Sequence, residues 1–63
     1  MVMALAENFW KADAVWTAEL KRSFGKDAGY ARYNIEGRGV EGTALRSAYE
    51  GFCAARDAWR AAS

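Results

Sequence analysis

The sequence has no histidine, no proline and a single cysteine, Cys53. One thiol excludes an internal disulfide. Without histidine or a second thiol, the donor set of a structural zinc site cannot be assembled. General acid–base catalysis near neutral pH also loses its commonest agent. Long apolar runs are missing: the opening MVMALAENFW has no basic residue and only a short apolar stretch, so it does not read as a signal peptide, and nothing approaches transmembrane length. An excess of one charge is missing as well. The net charge is +1; residues 1–24 and 25–42 each balance to zero, and residues 43–63 carry the surplus. No basic tail or stripe in the linear sequence marks a nucleic-acid or anionic-membrane surface. With an unpaired thiol suited to a reducing compartment, the expectation is a cytoplasmic, soluble protein with no metal and no cofactor.

A chain of 63 residues is read as one domain. Below roughly 70–80 residues a lone core rarely supplies more than about 3–5 kcal/mol. With disulfides and metals set aside, close helix packing or self-association must make up the difference. Composition favours that route, because alanine is abundant and Trp10, Trp16 and Trp59 are large apolar side chains for so short a chain.

Hydrophobic spacing predicts an all-α protein. Val2, Leu5, Phe9, Ala12, Trp16, Leu20 and Phe24 recur every three or four residues, which predicts a first helix over about 3–24. Glu7 with Lys11 and Glu19 with Arg22 are spaced to pair along it. Gly25 follows Lys21 and Arg22, where a left-handed cap is wanted. A second helix is predicted over about 43–62, with Thr43 as its N-cap. Leu45, Tyr49, Phe52, Arg56 and Trp59 form one seam of it. Ala44, Ala48, Gly51, Ala55, Ala58 and Ala62 form a parallel seam of small residues that invites another helix backbone. Gly51 fits that role, since a mid-helix glycine costs about 1 kcal/mol against alanine.

Two helices in an antiparallel hairpin cannot hide all of this. Trp10, with Met3 and Ala14, lies about a quarter-turn or more off the main stripe by the 3.6-residue period. Trp16 and Trp59 read as core, whereas Trp10 is divided between a dimer interface and an anchor for a partner. The expected architecture is a homodimer of hairpins in a four-helix arrangement, with Phe9, Trp10, Trp16, Leu20, Leu45, Phe52 and Trp59 as its core and interface.

Between the helices lies an eighteen-residue, glycine-rich connector, residues 25–42 (GKDAGYARYNIEGRGVEG). It exceeds the usual helix–helix connection of about 2–8 residues, and long ordered loops often carry function. Asp27 could cap a helical turn over Ala28 to Tyr33, with Asn34 as a left-handed stop; the run YARYNI could instead be extended. Gly37-Arg38-Gly39-Val40-Glu41-Gly42 matches the G-x-G-x-x-G dinucleotide fingerprint. That site needs a strand before it and a second parallel strand after its helix, and here the sequence stops with the helix. Glu36 and Glu41 would also repel phosphates. The glycines therefore read as a swivel into the second helix.

Little in the chain suits catalysis. Cys53 lies beside the Tyr49–Phe52 seam and reads as a small, partly buried residue rather than a nucleophile. Asp13 and Arg56 fall near the two apolar seams and are expected to pair. Tyr30, Arg32, Tyr33 and Arg38 stand out in the connector. Tyrosine and arginine offer flat contact area and directional polar groups, the properties of residues that dominate protein–protein binding. They also suit bases and phosphates, although the balanced charge argues against nucleic acid. The plain structural reading is that a tyrosine folds back over the open end of the helix pair and Arg32 is solvated.

The arrangement Trp16-Thr17-Ala18-Glu19-Leu20, Phe24-Gly25, Ala31-Arg32-Tyr33, a glycine-bearing spacer and a second helix ending near Trp59 resembles very small proteins encoded early in Pseudomonas-type transposable phages and their prophages. That family includes dimeric helical hairpins with anti-quorum-sensing activity. The resemblance implies a non-enzymatic inhibitor that binds a host protein, such as the DNA-binding domain of a LuxR-type transcription activator, and blocks operator binding. It would place the contact at Tyr30, Arg32, Tyr33 and Arg38. The absence of acidic clustering means the chain is no obvious DNA mimic.

Self-association is directly measurable. Light scattering at micromolar concentration should give about twice the 7.0 kDa chain mass, and a stable monomer would rule out the dimer.

Overall fold

The computed structural model describes residues 2–62; Met1, Ser63 and the side chain of Val2, the first member of the expected stripe, lie outside the described part. The chain runs α1 (Val2–Phe24), a 3-10 turn (Gly25–Asp27), α2 (Ala28–Ala31), a second 3-10 turn (Ile35–Arg38) and α3 (Ala44–Ala62). Among the described residues there is no strand, so the all-helical expectation holds. No described helix is long and apolar enough to cross a membrane.

Helix α1 forms where the 3.6-residue stripe predicts it. Trp16 and Leu20 are buried, and Leu5, Phe9, Ala12 and Phe24 are half-buried beside them. Leu20 is the most enclosed large side chain at 1% exposure, a burial that stabilises by about 1.5–3 kcal/mol. Glu19 and Arg22 pair as spaced, whereas Glu7 and Lys11 remain exposed and form no ion pair among the described residues. The helix ends because Gly25 turns to φ +57°, a conformation costly for any side chain with a β-carbon.

Helix α3 starts at a true cap: the Arg46 amide donates to Thr43 Oγ1 at 3.1 Å, satisfying one of the free amides of the first turn. Its aromatic seam meets α1 in a ladder of rings. Phe9 lies 5.0 Å from Trp59 and 5.3 Å from Phe52, and Trp16 lies 4.7 Å from Phe52 and 5.2 Å from Tyr49, centroid to centroid. Residue numbers therefore fall along α3 as they rise along α1. All four contacts are tilted, a geometry that adds about 0.5–1.5 kcal/mol each beyond area burial. Around them Leu20, Ala28, Ala31, Leu45 and Ala48 complete the buried cluster. The small-residue seam behaves otherwise. Ala48 is buried and Ala55 half-buried, but Ala44, Gly51, Ala58 and Ala62 face outward. A β-carbon on Gly51 would meet nothing within 4 Å, so the packing reason expected for it does not exist inside one chain.

Residues 25–42 are not a loose swivel. Two 3-10 turns and α2 fold them against α1 and α3, and Ala28 and Ala31 enter the core. Asp27 occupies the N-cap position of α2 without making a side-chain cap bond. Asn34 is extended (φ −116°, ψ 162°) rather than left-handed, and closes α2 by donating Nδ2 to the Tyr30 carbonyl at 2.8 Å. The run before the glycines is thus the end of a short helix followed by turns, with no strand of the kind a dinucleotide loop requires. Gly37 is buried, and a β-carbon there would collide with the Ala31 carbonyl, lying 2.8 Å from its carbon. Gly39, at φ +79°, passes so close to α3 that a β-carbon would sit 2.5 Å from the Arg46 nitrogen. Close backbone approach, not a phosphate, demands these two glycines.

Two glycine substitutions should therefore have opposite signs. Gly37→Ala is expected to destabilise by about 1–3 kcal/mol through overpacking, and Gly51→Ala to stabilise by about 0.5–1 kcal/mol through helix propensity. Urea melts followed by circular dichroism read both; equal effects would contradict the geometry.

Candidate functional site

Beside the aromatic ladder the chain forms an open cleft of about 480 Å³, lined by Trp16, Arg32, Tyr33, Arg38, Tyr49, Phe52 and Arg56. Three elements supply it. Trp16 comes from α1; Tyr49, Phe52 and Arg56 come from the seam of α3; Arg32 and Tyr33 follow α2, and Arg38 ends the second 3-10 turn. The Trp16 indole holds these parts together, donating Nε1–H to the Gly37 carbonyl at 2.9 Å in a buried bond.

Arginine side chains stack on the rings. The Arg32 guanidinium carbon lies 4.6 Å from the Trp16 centroid and 5.5 Å from that of Phe52. Arg56 sits 5.9 Å from the Phe52 centroid, while Arg38 and Arg46 sit 5.9 and 5.6 Å from that of Tyr49. Guanidinium groups suit these positions because they are planar and weakly hydrated, and stack where an ammonium would stay in water.

The arginines differ in what else they hold. Arg32 is ion-paired to Asp13 and donates Nη1–H to Thr17 Oγ1 at 3.0 Å, tying the segment after α2 to α1. Arg46 lies 3.3 Å from Glu50, and Arg56 lies 3.3 Å from Asp57. The expected Asp13–Arg56 pair is therefore replaced within the chain: Asp13 takes Arg32, and Arg56 takes its sequence neighbour. Arg38 is exposed and, among the described residues, has neither an ion pair nor a side-chain hydrogen bond. The Tyr49 hydroxyl is pushed above its ordinary pKa, first by a side-chain hydrogen bond with Cys53 and then by partial burial, so it stays protonated at neutral pH. Among the described residues no three His, Cys, Asp or Glu side chains gather as a metal site would require.

A second pocket of about 390 Å³ adjoins the first and shares Arg56 with it; its other walls are Phe9, Trp59 and Arg60. Of the four connector residues expected to meet a partner, Arg32, Tyr33 and Arg38 converge on the larger cleft. Tyr30 does not: it lines a smaller hollow with Phe24, Asp27 and Asn34 on another side. Both tyrosines stay at the surface, Tyr30 at 77% and Tyr33 at 86% exposure, and neither folds back over the helix pair. Arg32, with its side chain 26% exposed, is a tie within the fold rather than a solvated side chain. Trp10 remains 56% exposed on the outer side of α1.

Sequence reasoning placed Trp16, Tyr49, Phe52 and Arg56 on core seams and missed that their edges form a cleft. A signal was available in the choice of basic residue: all three lysines precede position 27, and all five later basic residues are arginine.

Comparisons with protein-family profiles, with curated proteins and with solved structures gave no match.

Because Arg32 bonds Asp13 and Thr17 and covers Trp16, Arg32→Lys should lower stability by about 1–2 kcal/mol, since an ammonium cannot reproduce the fork or the stacking. Arg38→Gln should change it by less than about 0.5 kcal/mol. Thermal melts of the two variants check the contrast.

Proposed function

We propose that the chain is a small, non-enzymatic protein-interaction module that binds a host regulatory protein through the Arg32–Tyr33–Arg38 cleft and inhibits it by occupancy. The observation that carries this reading is the convergence of guanidiniums and aromatic side chains on one surface cleft, the side-chain chemistry that supplies most binding energy at protein interfaces. Arg38 and Tyr33 are exposed there and available to a partner, whereas Arg32 acts by holding the cleft's shape.

The resemblance to phage-encoded helical hairpins makes the DNA-binding domain of a LuxR-type activator, in the host bacterial cytoplasm, the first partner to test. A DNA-reading surface is itself basic, so electrostatics favour docking of this cleft on an acidic flank of such a domain. A hairpin dimer belongs to the same proposal. It is supported by Trp10 and Met3 on the outside of α1 and by the outward-facing small residues of α3, which one chain leaves uncovered.

The cleft's composition also supports a second reading, a single-stranded nucleic-acid site in which bases stack on the rings. Its signature would be a steep fall of affinity with salt.

Calorimetric titration of a purified LuxR-type DNA-binding domain into the wild type and Arg38→Glu decides the main reading. The variant should bind at least about tenfold more weakly, a loss of about 1.4 kcal/mol, with unchanged helical dichroism. Equal affinity would move the contact away from the cleft.

A further inference from the structure

The smaller pocket, which shares only Arg56 with the cleft, has a chemistry of its own. Its volume of about 390 Å³ lies within the usual range of small-ligand sites. Phe9 and Trp59 make an apolar corner there, with ring centroids 5.0 Å apart and planes tilted by 38°. Both residues are half-buried, so the core holds the corner in place while leaving part of it open. The polar side of the pocket is two guanidiniums. Arg56 and Arg60 are four residues apart on α3, a spacing at which like charges destabilise a helix. The helix dipole favours a basic residue at 60, in the last turn, but position 56 lies a turn earlier. Asp57 relieves Arg56 only from its Nε side, at 3.3 Å. Arg60 has no ion pair among the described residues. Two arginines and one aspartate thus leave a single positive charge beside the apolar corner.

We propose that this pocket binds a monoanionic amphiphile, a carboxylic acid with a hydrocarbon body. The carboxylate accepts hydrogen bonds from the guanidiniums of Arg56 and Arg60, which present paired donors to it. The hydrocarbon body covers Phe9 and Trp59 and leaves water. The bound charge also relieves the repulsion between the two arginines, so the ligand stabilises the end of α3 as it binds. A phosphate monoester fits less well, because its second charge would face Asp57 without a cation to match it. A neutral lipid would cover the rings and leave both arginines as they are. This site lies apart from Arg38 and is independent of the protein-interaction reading of the cleft.

The test titrates decanoate, below its micelle range, into the full chain and follows the three tryptophan indole signals by NMR. Decanol and acetate serve as controls for the hydrocarbon body and the head group. Trp10→Phe and Trp59→Phe assign the signals. Decanoate should move the Trp59 signal most and leave that of Trp16, closed by Gly37, in place. It should bind at least about tenfold more tightly than either control, and Arg56→Gln with Arg60→Gln should remove that advantage. Arg38→Gln should bind decanoate like the wild type. Arg60 is exposed, so Arg60→Gln alone should keep the helical dichroism and still weaken decanoate several-fold. Decanol binding as tightly as decanoate, equal shifts at Trp10 and Trp59, or unchanged affinity in Arg60→Gln would each overturn the inference.

Discussion

The buried bond from the Trp16 indole to the Gly37 carbonyl organises this small protein. Trp16 sits between Phe52 and Tyr49, so its N–H cannot find water and must find a partner in the chain. The partner comes from the segment between the long helices. That segment can reach the indole only because Gly37 has no side chain to hold it off Ala31. One donor therefore couples the helix pair to the connector, and the connector in turn places Arg38 at the rim of the cleft.

Arg32 makes the second tie. It follows α2 immediately, reaches Asp13 and Thr17 on α1, and places its guanidinium over the Trp16 ring. The pair is half-exposed, so the Coulomb contribution is small; the value of the contact lies in fixing direction. Once Arg32 is anchored, Tyr33 has nowhere to go but outward. Two adjacent residues thus part ways, Arg32 tied to the fold and Tyr33 open to solvent, and the distinction is set by which of them α1 can grip.

The long elements were legible in the sequence because each is written in a 3.6-residue period with local punctuation. Gly25 and Thr43 mark the end of one helix and the start of the other, and both act as expected. The connector was harder to read because what folds it is non-local. Nothing near Gly37 in sequence announces an indole twenty-one residues earlier, and Asn34 reaches back to α2 in place of turning left-handed. The same limit explains the partial view of the cleft. Tyr33 and Arg38 stand out in the connector's sequence and are exposed at the cleft, but the exchange of Asp13's partner from Arg56 to Arg32 follows only from where α2 lies. Phe9 and Trp59 meet ring to ring, while the pocket between them depends on the exact offset of two helices.

A connecting segment is ordinarily the tolerant part of a domain, the place where nature inserts, nicks and permutes. Here that expectation is reversed. With Gly37 wedged against Ala31, Gly39 against the first turn of α3, and Ala28 and Ala31 in the core, residues 25–42 have little slack in length. An affinity tag, a protease site or new termini placed there would open the hydrophobic cluster itself. In this protein the linker is part of the wall, and grafting is better directed to the outward positions of the two long helices.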